Sequence, residues 1–310
     1  MQDGDSLFEI EGDPQLKSAR FLNFLLELNG IGSAKALQIA QSFMTLEEVF
    51  THLAGMGLNN REIKELPELD SEYPIEALSY FDDLYPASLR DLPNPPALLW
   101  VMGRLPDGVT LAVVGTRNPT PDAFEITAAI CKTFDAERNV LVSGLADGID
   151  SIAHSASLEH GVRNIAVLGH GFAEIWRSPK VNLALQILEG GGALVTEYAP
   201  YVRSTQGSFV ARDRIIASLA QTTLVIECGI PSGTLHTVRD ALNMGRRVVV
   251  VEQQKKSAQN LGNQFLLGMS SEDLSGDQTS WISRNKLGFK PEWREIITPV
   301  QTVGQLRPYL

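Results

Sequence analysis

The chain changes its hydrophobic period several times, and each change marks a predicted boundary. Residues 1–16 are polar and have no apolar period, which predicts a flexible tail. Over residues 17–66, apolar side chains such as Phe21, Leu25 and Leu28 recur at intervals of three to four, the spacing of an amphipathic helix. We therefore predict a small all-helical domain of three or four helices in residues 17–66.

Capping patterns and a glycine turn refine this helical domain. Thr45 with Glu48 and Asn59 with Glu62 have the spacing of a capping box, which predicts two helix starts. The turn at residues 28–33 resembles that of a helix-hairpin-helix or SAM-like domain, and hairpin amides of the former kind bind phosphate. Because many acidic residues lie nearby, we favour a packing or partner-binding role for the domain.

Two further segments are less regular. Residues 67–108 are rich in proline but also contain aromatic side chains that need burial, such as Tyr80, Tyr85 and Trp100. We therefore expect a packed irregular connector rather than a flexible linker. Residues 253–310 show scattered aromatic residues without a clear period, and we assign no fold to this C-terminal extension.

Between these segments, short β-branched runs alternate with helical patterns. The predicted strands are 110–115, 140–143, 164–168, 193–196, 223–227 and 248–251. The predicted helices are 121–137, 149–159, 181–188, 213–219 and 234–244. Alternation of this kind is typical of a parallel sheet with helices on both faces. We therefore predict an α/β class protein with a Rossmann-like domain over residues 109–252.

Composition and charge limit the function classes. The chain has 310 residues and a net charge of −11 at pH 7, which argues against a protein that coats nucleic acid with its whole surface but allows a local basic groove. Its two cysteines, Cys131 and Cys228, lie in apolar stretches and indicate buried free thiols in a reducing, cytoplasmic location. The apolar runs are far shorter than the ~18–20 residues that cross a bilayer, so we expect no membrane association.

Glycine-rich loops follow most of the predicted strands and contain the candidate ligand-contacting residues. Ligands of open parallel sheets bind outside the carboxyl ends of the strands. Glycines let a ligand approach the backbone, while helix N-termini and arginines attract anions. The candidates are Gly115, Thr116 and Arg117 after the first strand, Ser143 and Gly144 after the second, Gly169 after the third, Phe209, Arg212 and Arg214 after the fourth, and Ser232, Gly233 and Thr234 after the fifth. By themselves these loops predict binding of an anion.

The segment after the fourth strand has two interpretations. If it is extended, Arg212 and Arg214 share one side, and Phe209 beside them offers base stacking together with phosphate neutralisation. Alternatively, Phe209 belongs to the core and Arg214 pairs with Asp213 or Glu197.

Catalytic and cofactor patterns are weak. A nicotinamide site needs G-x-G-x-x-G after the first strand, where the chain instead has Gly115-Thr116-Arg117-Asn118. Ser143, Asp150 and His154 suggest a catalytic triad, but Asp150 and His154 are four residues apart on one predicted helix and can pair with each other. The sequence contains no nucleophile elbow, zinc-ligand spacing or ATP-binding P-loop. We expect no enzyme activity, no cofactor and no metal, and assign His154 a structural role.

The order of the strand-end motifs resembles that of the DNA-processing protein A (DprA/Smf) family. The motifs are 115–119 (GTRNP), 143–150 (SGLADGID), 166–171 (AVLGHG), 209–217 (FVARDRIIA), 232–235 (SGTL) with 245–246 (GR), and, upstream, 85–90 (YPASLR) and 95–103 (PPALLWVMG). The resemblance is strong over residues 80–252 and loose over the helical domain. It implies a bacterial, non-catalytic homodimer that binds single-stranded DNA and loads the RecA recombinase in natural transformation or recombination.

The family's DNA-binding positions fall here on Arg117, Lys180, Phe209 and Arg212. Lys180 is by its own pattern a solvated surface lysine, so its place in the site is implied by the resemblance alone.

The chain also departs from the family pattern. Asp147 stands where the family usually has a basic residue, and Asp213 and Ser208 stand where it usually has asparagine. Val210 replaces a usual proline, and the usual C-terminal winged-helix module is not evident in residues 253–310. Aspartates near phosphate sites are expected to weaken binding, which indicates a divergent member.

Two other functions remain open from the sequence. A sensor of a small nucleotide, for instance in phage defence, would suit the Rossmann-like loops and the added aspartates. A nucleotide phosphoribohydrolase of the lysine-decarboxylase-like (LOG) group is weaker: Ser232-Gly233-Thr234-Leu235 resembles part of its Gly-Gly-x-Gly-Thr motif, but His236 and Thr237 replace the acidic residues that follow.

Overall fold

The computed structural model describes residues 13–288 and 290–310. Most of the predicted flexible tail, residues 1–12, lies outside them. The end of that tail is ordered instead: a 3-10 turn over Pro14–Lys17 buries Leu16. The chain divides into two compact units, and the boundary between them runs through the first two strands.

The helices of the described residues are α1 (Ala19–Glu27), α2 (Ser33–Ser42), α3 (Leu46–Gly55), α4 (Ala87–Arg90), α5 (Pro121–Cys131), α6 (Ile149–Leu158), α7 (Val181–Glu189), α8 (Gln206–Leu219), α9 (Thr234–Asn243), α10 (Leu261–Leu266) and α11 (Gly276–Arg284). The strands are β1 (Ile75–Ser79), β2 (Leu98–Gly103), β3 (Val109–Val114), β4 (Asn139–Ser143), β5 (Arg163–Val167), β6 (Ala193–Thr196), β7 (Thr222–Val225), β8 (Arg247–Val251) and β9 (Ile297–Val300). Short 3-10 segments of three to seven residues supplement them.

The first unit contains the predicted helices α1 to α3. Ser18 caps α1, and Thr45 forms the predicted capping box with Glu48 at the start of α3. The second predicted capping box is wrong, because the Asn60 side chain accepts the Glu62 amide in a segment that does not become helical. The core of the unit is formed by the apolar faces of the helices: Phe21, Leu22, Phe24, Leu25, Ala36, Leu37, Ile39, Ala40, Val49 and Leu53.

The connector is packed as predicted, since Tyr85 and Trp100 are buried, but the expectation that it is irregular is wrong. It holds β1, α4 and β2, and β2 pairs antiparallel with β6, with Trp100 opposite Thr196. The physical reason is the placement of the prolines: Pro74 precedes β1, Pro86 caps α4, and Pro93, Pro95 and Pro96 lie between α4 and β2. Proline interrupts an element only when it lies inside it.

The second unit contains residues 109–252, for which the Rossmann-like fold is predicted. Nine strands of the described residues form one sheet in the order β1-β2-β6-β5-β4-β3-β7-β8-β9, and the strands from β6 to β9 in this order run parallel. β4, β5 and β6 are added on one side of β3, whereas β7, β8 and β9 are added on its other side. The strand order therefore changes direction at β3, and open sheets of this kind bind ligands at such a topological switch point. All six predicted strands are present within one or two residues of their expected bounds.

The C-terminal extension completes this sheet. β9 pairs parallel with β8, and Val300 and Leu306 join the core that contains Leu111 and Ile130. Both cysteines are buried free thiols, as expected, and burial raises the pKa of each to about 12. Within the described residues, each helix is too short or too polar to span a bilayer.

One helix begins much earlier than predicted. α8 starts at Gln206 rather than at 213, because Thr205 and Ser208 form a reciprocal cap. Phe209, Arg212 and Arg214 therefore lie on a helix, where residues two apart point to different sides. The expectation that Arg212 and Arg214 share one side of an extended segment is wrong.

Candidate anion-binding site

Two adjoining cavities lie at the carboxyl ends of β3, β4 and β5, beside α8. The larger has a volume of about 560 Å³ and is lined by the loop after β3, the first turns of α8 and the loop before α9. The smaller, of about 200 Å³, is lined by the loops after β4 and β5 and by residues 178–180. Arg117, Ala146, Phe209 and Arg212 line both cavities. We call the two cavities together the strand-end groove.

An arginine and an aromatic ring meet at the junction of the two cavities. The guanidinium carbon of the exposed Arg117 lies 5.8 Å from the centroid of the Phe209 ring, within the range of a cation–π contact. The half-buried ring packs against Gly169, where an added Cβ would lie 2.8 Å from Phe209 Cδ1. Gly169 therefore lets Phe209 sit between the sheet edge and the groove.

The buried Arg212 forms the floor of the groove. Its Nη1 donates to the Val167 carbonyl at 2.7 Å, which ties α8 to the end of β5. Its Nε lies 3.2 Å from Asp213 Oδ1, close enough for an ion pair but not aligned for a hydrogen bond. A Cβ at position 144 would collide with this guanidinium, so Gly144 makes room for Arg212.

Lys180 forms an ion pair with the side chain of Asp147. Its Nζ lies 2.6 Å from Asp147 Oδ1, and the Asp147 side chain is 73% exposed. The hydrogen bond and charge of Lys180, and more weakly the charge of Arg117, lower the pKa of Asp147. An ionised carboxylate therefore occupies part of the surface that Lys180 would offer to another anion.

Two largely buried carboxylates, those of Asp150 and Asp213, belong to the lining of the larger cavity. Asp150 accepts the amides of Gly144 at 3.1 Å and Ala146 at 3.4 Å, which holds the loop after β4. Burial raises the pKa of Asp150, while the charge of Arg212 opposes the rise. Burial likewise raises the pKa of Asp213 to about 7, again opposed by Arg212.

The predicted pairing of Asp150 with His154 is wrong, although the structural role of His154 is confirmed. His154 is fully buried, and its Nδ1 lies 3.1 Å from Asn164 Oδ1. Burial lowers the pKa of His154 to about 4, so the ring is neutral and fixes α6 on the sheet.

The loop after β3 and the loop before α9 both line the larger cavity. At position 115 a Cβ would lie 2.5 Å from Ile149 Cγ1, so packing requires Gly115. The Thr116 amide donates to the Glu227 carbonyl at 2.7 Å. Ser232, Gly233 and Thr234 line the same cavity at the start of α9.

Two predicted site residues lie outside the lining of the groove. Ser143 is fully buried, and its hydroxyl donates to the Val113 carbonyl at 2.7 Å, so it joins two strands. Arg214 donates two hydrogen bonds to the Glu197 carboxylate, at 2.9 and 2.7 Å, as the alternative interpretation expected for this residue, whereas Phe209 is half-buried and lines the groove instead of joining the core. Both residues are corrected to structural roles.

Sequence reasoning missed Gln206, which lines the larger cavity from the first turn of α8. It was missed because the helix was predicted to begin at 213. The Thr205–Ser208 cap, a weaker pattern than Ser/Thr followed by Glu, was the feature that could have revealed it.

The chain is similar to proteins of one family. The family model described as DNA recombination-mediator protein A matches residues 76–278. Protein Smf of Synechocystis is 32% identical over 246 residues, which are 72% of this chain and 61% of that protein. DNA processing protein DprA of Streptococcus pneumoniae is 36% identical over 178 residues, 56% of this chain and 62% of that protein. The chain thus spans less than two thirds of either relative.

Solved structures show the same fold. The structure of DNA processing protein A from Streptococcus pneumoniae has a TM-score of 0.69 at 24% identity, and the match covers 94% of this chain and 97% of the Streptococcus pneumoniae chain. A second structure, of DNA processing protein A from Helicobacter pylori, was described in a study of how that protein binds single-stranded DNA. It has a TM-score of 0.55 at 24% identity, and the match covers 66% of this chain and 92% of the Helicobacter pylori chain.

Proposed function

The chain belongs to the DNA recombination-mediator protein A family, and from this premise we propose that it binds single-stranded DNA in the strand-end groove. The observation that carries the proposal is the contact between Arg117 and Phe209 at the junction of the two cavities. A guanidinium suits a phosphate, and an aromatic face suits an unpaired base of any sequence. Arg117 and Phe209 together can therefore bind the phosphate and the base of one nucleotide.

The other groove residues take roles that fit their burial. Arg117 is exposed and suits direct phosphate contact, whereas the buried Arg212 adds positive potential and supports the loop at Gly144. Lys180 suits a second phosphate once it is released from Asp147. The proposed DNA-contacting set is Gly115, Thr116, Arg117, Gly144, Gly169, Lys180, Phe209, Ser232, Gly233 and Thr234, with Arg212 beneath it.

We further propose that the protein acts without catalysis, as a homodimer that delivers single-stranded DNA to the RecA recombinase in transformation or recombination. Family membership supports this role. The separation of the candidate triad also supports it, because Ser143 donates to the Val113 carbonyl and His154 pairs with Asn164.

A small nucleotide is the second candidate ligand. The larger cavity, of about 560 Å³, falls within the ~300–1,000 Å³ of typical small-molecule sites. A thermal-shift series with mononucleotides, set beside oligothymidine, separates the two candidates. The phosphoribohydrolase alternative gains no support, since His236 and Thr237, which stand in place of its acids, are buried.

The test of DNA binding is Arg117→Ala, measured by fluorescence anisotropy with labelled oligothymidine over a range of salt. Losing one charge-assisted phosphate contact is expected to lower affinity about tenfold and to reduce the slope of log K against log salt by about 0.7. Arg138→Ala is the matched control, because Arg138 is exposed beside the opposite, amino-terminal end of β4. Unchanged affinity and salt slope in Arg117→Ala would reject the groove as the binding site.

A further inference from the structure

Beside the smaller cavity, two surface segments are joined by hydrogen bonds. They are the 3-10 helix Phe172–Arg177 and the loop formed by residues 199–205. The Gly171 amide donates to the Val202 carbonyl at 2.8 Å, and the Ala173 amide donates to the Pro200 carbonyl at 2.9 Å. These bonds hold the two segments together as one surface.

This surface exposes two large aromatic side chains. Tyr201 is 60% exposed and Trp176 is 36% exposed. Ala173 lies one turn before Trp176 on the 3-10 helix, and its amide donates to Pro200, which directly precedes Tyr201. The two aromatic residues are therefore exposed on two segments that are bonded to each other.

Two arginines accompany the aromatic residues. Arg177 follows Trp176, Arg203 lies two residues after Tyr201, and both are exposed. In the part of the chain that the structure describes, neither takes part in an ion pair. The nearby Glu174 is bound by the Ser204 amide at 2.9 Å, and this bond is the main cause of its lowered pKa. We call Trp176, Arg177, Tyr201 and Arg203 the aromatic shelf.

The first segment of the shelf borders the strand-end groove. Ile175 and Ser178, on either side of Trp176 and Arg177 in the chain, line the smaller cavity, as does Lys180. The shelf is therefore the neighbouring surface for a strand that leaves the groove past Lys180.

We propose that the aromatic shelf is a second subsite for single-stranded DNA, which stacks the bases that emerge from the groove and pairs their phosphates with Arg177 and Arg203. This inference rests on the proposed function. Exposed aromatic rings interleaved with arginines are the combination that binds unpaired bases without sequence preference. A duplex has its base faces covered by stacking, so it can use the arginines of such a surface but not its aromatic rings.

The test compares two lengths of oligothymidine, roughly five nucleotides to fill the groove alone and roughly twenty to reach the shelf. The double variant Trp176→Ala/Tyr201→Ala is expected to lose affinity about five-fold or more for the longer strand, the lower end of the cost of one lost stack, and to bind the short strand as the wild type does. Trp176→Phe/Tyr201→Phe keeps the rings and is expected to keep the longer-strand affinity. Phe124→Ala, which removes a 52% exposed ring on α5, is the matched control.

The outcomes separate this inference from the proposed function. If the double alanine variant binds both lengths as the wild type does, the shelf is not a DNA subsite, while groove binding stands. If it keeps DNA affinity but changes the molecular mass in solution, the shelf is instead a protein interface and the inference is overturned. If the wild type binds neither length, the proposed function and the inference fail together.

Discussion

Two acid–base pairs flank the strand-end groove, and they differ chiefly in solvent exposure. In the pair beneath the groove, the side chains of Arg212 and Asp213 are 5% and 12% exposed. In the pair at its rim, those of Lys180 and Asp147 are 24% and 73% exposed. The charges of a buried pair have lost their hydration, so each depends on the other for stabilisation. The charges of an exposed pair remain hydrated and can separate at little cost in free energy. The buried pair is thus part of the fold, and the exposed pair is the one that a ligand of the proposed kind would have to open.

The largest expected effect is on folding. Arg212→Met removes the hydrogen bond to the Val167 carbonyl and the cation beside Asp213 and Asp150. Breaking a buried pair costs about 3–5 kcal/mol of unfolding free energy, to be measured by urea denaturation at pH 8, above the folded pKa of Asp213 of about 7. Lys180→Met, the matched change in the exposed pair, is expected to cost less than about 1 kcal/mol. If Arg212→Met and Lys180→Met lost equal unfolding free energy, the difference in burial between the two pairs would not affect stability.

The next effect is a pH dependence of stability. The folded pKa of Asp213, about 7, lies above its ordinary value of 3.8, because burial outweighs the attraction of Arg212 and Arg117 and is reinforced by Asp150 and Asp240. Between these two values the folded state holds a proton that the unfolded state has lost. This contribution to stability is therefore complete at low pH and falls as the pH rises towards 7, by at most about 1.4 kcal/mol per pH unit.

Asp213→Asn isolates that contribution because asparagine does not titrate. The melting temperature of the variant minus that of the wild type is expected to increase from pH 4 to pH 8. His154 causes the opposite pH dependence of stability, because its folded pKa of about 4 lies below its ordinary value. This contribution is the same in the variant and the wild type, so it cancels in the difference between their melting temperatures. A constant difference across this range would contradict the buried, titrating Asp213.

The smallest expected effect concerns the exposed pair. Asp147→Asn removes the carboxylate 2.6 Å from Lys180 and is expected to raise affinity for single-stranded DNA by a few-fold, about 1 kcal/mol or less. The salt slope is expected to steepen by about 0.7 as Lys180 gains a phosphate. Asp277→Asn makes the same change in net charge at an exposed site in the first turn of α11 and serves as the control. If both variants gain equally, the effect is one of overall charge and not of Lys180.

Local sequence determined the strands of the parallel sheet and the position of the glycine-rich loops. Val109–Val114 and Arg247–Val251 are short β-branched runs between helical patterns, and each such run became a strand because burial on both faces favours these side chains. The loops then meet at one edge, since the carboxyl ends of parallel strands do so in any order. The sequence alone could therefore place Gly115, Arg117 and Thr234 at one edge of the sheet, where they line the larger cavity.

The tertiary structure decided which candidates face the groove. Ser143 and Gly144 are adjacent in sequence, but the Ser143 hydroxyl turns inward to Val113 while Gly144 makes room for Arg212. Arg214 is occupied by Glu197 from the loop after β6, a contact between residues distant in sequence. β9 and its place beside β8 were likewise unpredictable, because its short strand gains its stability from the partner strand rather than from its own pattern. Periodicity and glycine loops are local properties and appear in the sequence, whereas pairing partners, strand order and burial depend on residues brought together only when the chain folds.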